Sequence, residues 1–407
     1  MPNLTDLQLN LIKDSRNEDT LEVKMKSNNL EVSASVPRGK SRGEKEATLL
    51  EPKLALERFP QIKSYLLREN FSSLSQFDSF LISLDGTKNK ANLGGNLTLV
   101  LSQAYARLQA QFQNLSLCQY LRKELVQKVP SLERKLQKTP PPYFFFNLIN
   151  GGSHAPYGPK IQEYLFIPVT NKTRLSLDLA TVFFANLKEY CLVKYGKVEQ
   201  GDEGGLLVPE NNYEQPLEIL NYLRQELGLQ KEVRFGLDAA ASTFYQTTSG
   251  KYEILPGHFY SQEELLSLYQ SLNSKYHFLS LEDPFSETDW SGFQLITKRL
   301  KRQTEIIGDD LTATNPELLT LAYQKEALSG VIIKPTQIGT ITETLNTIAL
   351  AHQLQIKIIV SHRSGETLDD FIADLAIATG AWGFKAGAPQ PQERMIKYQR
   401  VVELTAN

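Results

Sequence analysis

Six residues capable of chemistry follow short apolar runs in the second half of the chain: Asp238, Glu282, Asp309, Lys334, His362 and Lys385. The gaps between them are 44, 27, 25, 28 and 23 residues, each the length of one or nearly two strand–helix units. One charged residue after a buried strand is commonly just the start of a loop; six in succession point to a shared task. Three carboxylates on neighbouring strands would repel one another unless a cation lay between them. Hard oxygen ligands, without cysteine or clustered histidine, select Mg²⁺ or Mn²⁺ over zinc. Lys334 and Lys385 supply a candidate base and anion clamp, since a lysine near a metal and other cations can titrate toward neutrality. Such a set suits removal of a proton next to a carboxylate, with the metal stabilising the ene-diolate. Spacing alone gives this reaction class and no substrate.

These residues need a scaffold that brings six strand ends to one mouth, as a barrel of parallel strands does. Apolar runs at Tyr143–Ile149, Tyr164–Val169, Arg234–Leu237, Phe278–Leu281, Glu305–Ile307, Gly330–Ile333, Ile356–Val360 and, more weakly, Trp382–Phe384 read as its strands. Amphipathic stretches separate them, such as Gln262–Tyr269, which opens on a capping box of Ser261 and Glu264. Alternation at about 25-residue intervals argues for parallel βα units. Before them, Thr139-Pro140-Pro141-Pro142 fits neither a helix interior nor a central strand, because prolines lack the amide donor. A boundary here gives a first domain over 1–138 and a barrel domain over 139–407. In the first, Thr20–Ala34 alternates as an antiparallel strand does, and Leu97, Leu101, Ala104, Leu108 and Phe112 form one helical stripe. That is an α+β pattern.

Composition excludes other classes. With 407 residues, 41% hydrophobic and 22% charged, the chain suits a soluble protein of two domains. A net charge of −2 offers no general attraction to nucleic acid or anionic membrane, so any phosphate chemistry must be local. The two cysteines, Cys118 and Cys191, form neither a metal spacing nor a disulfide framework, and a cytoplasmic location is expected. The charged first twenty residues do not read as a signal peptide, and no apolar run approaches a membrane span.

Further motifs surround the six residues. They include Asn147-Leu-Ile-Asn-Gly-Gly-Ser-His154, Gln162-Glu163, Gly201-Asp202-Glu203-Gly204-Gly205, Leu237-Asp238-Ala-Ala-Ala-Ser242 and Leu281-Glu282-Asp283-Pro284-Phe285. Gly308-Asp309-Asp310-Leu-Thr, Ile333-Lys334-Pro-Thr-Gln337-Ile-Gly339, Val360-Ser-His362-Arg363-Ser364-Gly-Glu-Thr and Phe384-Lys385-Ala-Gly-Ala-Pro389 follow. In this order they resemble the enolase family along nearly the whole chain. The resemblance implies an α/β fold, a C-terminal (β/α)8-type barrel of the enolase kind with an N-terminal α+β domain. It implies Mg²⁺-dependent interconversion of 2-phosphoglycerate and phosphoenolpyruvate, two Mg²⁺ per site, and a homodimer or larger homo-oligomer. Lys334 would remove the C2 proton and Glu203 would protonate the departing hydroxyl, with Glu163 beside it. Asp238, Glu282 and Asp309 would hold the first Mg²⁺, and Ser41 on a loop of the first domain would complete the second site. Lys385 would meet the substrate carboxylate, Arg363 and Ser364 the phosphate, while His154, Gln162 and His362 would line the pocket. Gln162 and Glu163 lie on opposite faces of a strand, so only a bend or a strand end lets both reach substrate.

The chain also departs from the family pattern. Asn17 follows Asp14-Ser15-Arg16 where the family has glycine, and asparagine is the non-glycine residue best suited to a left-handed turn. The loop Pro37-Arg38-Gly39-Lys40-Ser41-Arg42-Gly43 carries three cations where the family pattern is neutral, and these would face the substrate or pair with Glu44 and Glu46. Thr243 replaces a glutamate. Two other readings compete: another superfamily enzyme acting on a non-phosphorylated acid, and a catalytically silent binding protein. The first has no use for Ser41, Glu203 and Arg363-Ser364; the second would be expected to lack a ligand or the base.

Overall fold

The computed structural model describes residues 2–40, 43, 45–210 and 212–406. The N-terminal part begins with an antiparallel meander of β1 (Asp6–Lys13), β2 (Asp19–Ser27) and β3 (Leu30–Ser35). Asn17 sits between the first two strands at φ 61°, the left-handed conformation that its amide side chain tolerates. Five helices follow: α1 (Pro52–Leu66), α2 (Leu74–Asp85), α3 (Gly95–Phe112), α4 (Leu117–Lys128) and α5 (Leu132–Lys138). The stripe expected on α3 is only part of what it buries. Gly95 through Ala106 are all buried, whereas Phe112 at its end is 42% exposed. A helix covered on every side needs no polar face, and α3 is enclosed by the meander, α2, α4 and the barrel domain.

After the prolines come β4 (Tyr143–Asn150), β5 (Glu163–Pro168), β6 (Leu206–Leu207), β7 (Val233–Asp238), then β8 (Tyr245–Gln246), β9 (Lys251–Leu255) and β10 (His258–Tyr260). The last five strands are β11 (Ser280–Glu282), β12 (Glu305–Gly308), β13 (Gly330–Ile333), β14 (Lys357–Ser361) and β15 (Gly383–Gly387). Among the described residues, eight of these (β4, β5, β7 and β11 to β15) close into a barrel through a β15–β4 pairing. Helices pack around it, and the one over Gln262–Tyr276 opens on the Ser261–Glu264 capping box.

Two expectations are corrected. The barrel is not wholly parallel, because β5 pairs antiparallel with both β4 and β7. A parallel return would need a helical crossover, and the link from β4 to β5 holds only a short 3₁₀ turn at Gly152–His154. The 44-residue gap before Glu282 is also one unit, not nearly two, lengthened by the small sheet of β8, β9 and β10.

Apolar residues fill both sides of the barrel wall. Phe145, Leu165, Ile167, Ile307, Ile332 and Ile359 point inside and form a separate core, with Tyr143, Leu279 and Trp382 against it. Each such side chain contributes roughly 1.5–3 kcal/mol when buried. This plug leaves the polar strand ends as the floor of an open mouth.

Candidate active site

Strand register sets the acids side by side. Glu163 pairs with Asp238 across β5 and β7, and Asp238 pairs with Glu282 across β7 and β11. Because β5 runs backwards, Glu163 at its start reaches the same mouth as the ends of the other strands. Gln162 lies just before β5 and is therefore free of the alternation that would turn it outward. Its Nε2 donates to Asp238 Oδ2 at 3.4 Å, and both Gln162 and Glu163 line the same cavity.

Lys385 on β15 crosses the mouth to these acids. Its Nζ is 2.7 Å from Glu163 Oε2, 3.2 Å from Asp238 Oδ2 and 3.0 Å from Glu282 Oε2. One ammonium cannot compensate three buried carboxylates. Burial and the neighbouring Asp238 push Glu282 up to about 8, against the pull of Lys385. Burial would discharge Lys385, but Glu163, Glu282 and Asp238 outweigh it and hold its pKa well above the lysine range.

Lys334 follows β13 and contacts Asp309 Oδ2, while Gln337 Nε2 donates to Asp309 Oδ1 at 2.9 Å. The expected shift of this lysine toward neutrality rests on a nearby metal, and the side chains by themselves act the other way. Burial alone would lower the pKa of Lys334, but the Asp309 carboxylate reverses that and raises it. The same pairing and Lys385 keep Asp309 below its usual range despite burial.

Opposite these stands the turn that carries Glu203. Leu206–Leu207 pairs in parallel with the end of β4, which presses the turn against the strand so closely that a Cβ at Gly205 would meet Asn150 Oδ1 at 2.1 Å. Asn147 Nδ2 donates to Glu203 Oε2 at 3.0 Å, and His362 Nε2 lies 3.4 Å from that oxygen. Arg394 Nη1 lies 2.5 Å from His362 Nδ1, so Nδ1 accepts and the ring proton on Nε2 faces Glu203. Burial, aided by Arg394, pushes His362 down to about 3, and the ring is neutral. Burial lowers His154 as well.

The two glutamates are driven apart. Burial raises Glu163 well above the carboxylate range, with Glu203, Asp238 and Glu282 adding to it against Lys385. Burial opposes the charge of Glu203 too, yet the hydrogen bond from the neutral His362 ring and the nearby Arg394 guanidinium favour it and lower its pKa. Of the two, Glu163 is the one disposed to hold a proton and Glu203 the one disposed to carry charge. Among the described residues, His154, Glu163 and Glu203 are the group whose ligand atoms converge within 4.8 Å.

Arg363 and Ser364 follow β14, and Arg394 donates to both carbonyls at 2.7 and 2.6 Å. Arg363 Nη1 lies 2.9 Å from Glu46 Oε2, a carboxylate brought by the first domain. Glu46 therefore faces Arg363, and the described loop cations Arg38 and Lys40 pair elsewhere. Arg38 instead pairs with Glu51 Oε1 at 3.0 Å and lies 3.8 Å from Glu18 Oε2. Ser41, Arg42 and Glu44 lie outside the described residues, so the expected second metal ligand is not placed.

The sequence by itself assigned no role to Asn147, Gln337 or Arg394, and offered Glu46 only as a partner of the loop cations. Asn147 and Gln337 lie within motifs quoted above. Arg394 had a weaker signal: Arg394, Lys397 and Tyr398 put polar groups on the buried face of the C-terminal helix, Gln392–Leu404.

The donors fit a divalent cation. Asp238, Glu282 and Asp309 are buried hard-oxygen donors on adjacent strands, although the group whose ligand atoms converge among the described residues is His154, Glu163 and Glu203. No helix is long and apolar enough to cross a membrane among the described residues.

Comparison with known proteins gives one consistent result. The family model described as "Enolase, C-terminal TIM barrel domain" matches residues 138–407, and "Enolase, N-terminal domain" matches 4–121. A protein named Enolase from Thermococcus gammatolerans is 36% identical over 411 residues, covering 97% of this chain and 92% of its own. One from Aeropyrum pernix is 41% identical over 335 residues, 81% of this chain and 74% of its own. Enolase 2 of Lactobacillus johnsonii is 37% identical over 409 residues, 97% and 92% of the two chains.

Proposed function

The chain belongs to the enolase family and is a hydro-lyase of that kind, a phosphopyruvate hydratase, and from this premise we propose a Mg²⁺-dependent mechanism carried by Lys334 and Glu203. The observation that supports it most is the facing arrangement of two proton-handling groups across one buried mouth. Lys334 stands on β13's end beside Asp309, and the Glu203–Glu163 pair stands on the opposite wall.

Asp238, Glu282 and Asp309 would hold Mg²⁺, with Ser41 toward a second ion; the metal, when bound, neutralises the substrate carboxylate as it gains charge. A carboxylate shared with a cation grips an ammonium less tightly, so Asp309 would then release Lys334 to act as base at C2. Lys385 lies against the same acids and would meet the substrate carboxylate. Glu203 would pass a proton to the departing C3 hydroxyl, drawing on the one that Glu163 holds, with His362 and Asn147 fixing its orientation. Proton-handling groups on opposite faces of the substrate are what such an elimination requires. Arg363 would take the phosphate by its planar fork and Ser364 by its hydroxyl, while His154 and Gln162 close the pocket. We place the enzyme in the cytoplasm, in keeping with two free, buried cysteines, and expect a homodimer or larger assembly. Formation of phosphoenolpyruvate from 2-phosphoglycerate, followed with and without Mg²⁺, tests the proposal; no product in either condition would overturn it.

A further inference from the structure

Arg38, Gly39 and Lys40 reach from the first domain to the barrel mouth and are fixed there by backbone contacts. Arg38 and Gly365 exchange both backbone hydrogen bonds, at 2.8 and 2.9 Å. The Lys40 amide donates to Ser364 Oγ at 2.8 Å. A Cβ at Gly39 would stand 2.0 Å from Arg363 Nη2, so the segment lies flat against that guanidinium. These contacts would form with any side chain at position 40, including a neutral one. What lysine adds is a contact with the far wall: its Nζ is 2.9 Å from Asp202 Oδ2, in the turn that carries Glu203. Asp202 is anchored in turn, its carbonyl accepting from Arg394 Nη2 at 3.2 Å. Lys40 lines the same cavity as Glu203, Arg363 and Ser364.

We propose that Lys40 is a positioning residue whose ammonium bridges to Asp202 and so holds the Arg38–Lys40 segment over the phosphate end of the site. The three cations of this loop are thus not equivalent. Arg38 is turned to the rim by Glu51 and Glu18, and Lys40 alone among the described cations of the loop spans the mouth. The pair is 47% and 26% exposed, so salt screens it and its effect is modest, about two- to five-fold in an equilibrium. What it holds in place matters through the enolase reading; the bridge itself can be read without substrate.

Two measurements on the whole protein test this. In the first, trypsin cleavage after Arg38 and Lys40 is followed by mass for the parent, Asp202→Asn and Asp202→Glu. Loss of the bridge should speed cleavage about two- to five-fold in low salt and not in high salt, with Asp202→Glu close to the parent. Equal rates in all three would overturn the proposal. In the second, KM and kcat for 2-phosphoglycerate are compared for Lys40→Ala, Lys40→Arg and the reversed pair Lys40→Asp with Asp202→Lys. Lys40→Ala should raise KM about two- to five-fold with kcat little changed, Lys40→Arg should retain the parent value, and the reversed pair should outperform either single reversal. A change in kcat alone, or no recovery in the reversed pair, would also overturn it. If the parent does not turn over 2-phosphoglycerate, the enolase reading fails while the cleavage rates still judge the bridge.

Discussion

The ammonium of Lys385 lies 3.1 and 3.0 Å from the two carboxylate oxygens of Glu282, although the residues are 103 positions apart. This contact joins two sides of the barrel mouth and supplies a positive charge to a cluster of buried acids. Lys385→Met should therefore cost about 3 kcal/mol or more in metal-free buffer at neutral pH, since the acids lose their cation. Added Mg²⁺ should raise the melting midpoint more in this variant than in the parent, because its ligands then lack an internal competitor. Equal metal-free stability of variant and parent would show that the acids do not depend on the lysine.

Lys334 and Glu203 occupy different walls, so their variants should fail differently. Lys334→Ala should slow exchange of the C2 hydrogen of 2-phosphoglycerate with solvent by about a hundred-fold or more. Glu203→Gln should keep that exchange and lose formation of phosphoenolpyruvate. Parallel loss of exchange in both would rule out the division of labour.

Glu46 and Arg363 form a buried ion pair at 2.9 Å, and the carboxylate would compete with the phosphate proposed for that guanidinium. Glu46→Gln should bind inorganic phosphate about ten-fold more tightly in calorimetric titration without metal. The same variant should lose about 1–3 kcal/mol of stability, because a buried guanidinium is left less well partnered. Unchanged phosphate affinity would mean that the two do not compete.

Asp78 lies fully buried on α2 and accepts from the Thr342 amide at 2.8 Å, at the start of a barrel-domain helix, Ile341–Gln353. Burial, opposed by its hydrogen bonds to Thr342 and Ser102, pushes it up to about 6 from an ordinary 3.8. The folded state thus holds this proton more tightly than the unfolded chain. Its stabilising contribution is complete below pH ~4, falls as pH rises toward ~6, and is flat above, a loss of about 3 kcal/mol. Urea unfolding at both ends of this window should show a smaller pH dependence in Asp78→Asn than in the parent. An identical dependence in both proteins would assign it to other groups.

Most of the barrel was legible because its signals are local. Apolar runs ending on Asp238, Glu282, Asp309, Lys334, His362 and Lys385 repeat at nearly constant intervals, and a buried strand writes its hydrophobicity directly into neighbouring positions. Asn17 was legible for a similar reason: its left-handed turn is a property of one residue's backbone. The motif of Glu203 and its flanking glycines also lay in a continuous stretch.

Direction and pairing were not local, and only the tertiary structure decided them. Nothing within Glu163–Pro168 marks β5 as antiparallel; that follows from the helix-free link before it and from closure of the barrel around it. Its reversal is what carries Glu163 to the catalytic mouth. The protonation of Lys334 was likewise set by Asp309 beside it, against the tendency of burial alone, and that balance depends on distances between side chains remote in sequence. Arg394 shows the same limit. A buried arginine near the end of the chain carries no recognisable spacing, yet folding sets it against His362, Arg363 and Ser364 at once. Residue types and intervals determined which chemistry this protein can hold; the charges its acids and lysines carry arise only where folding brings them within a few ångströms and removes the water between them.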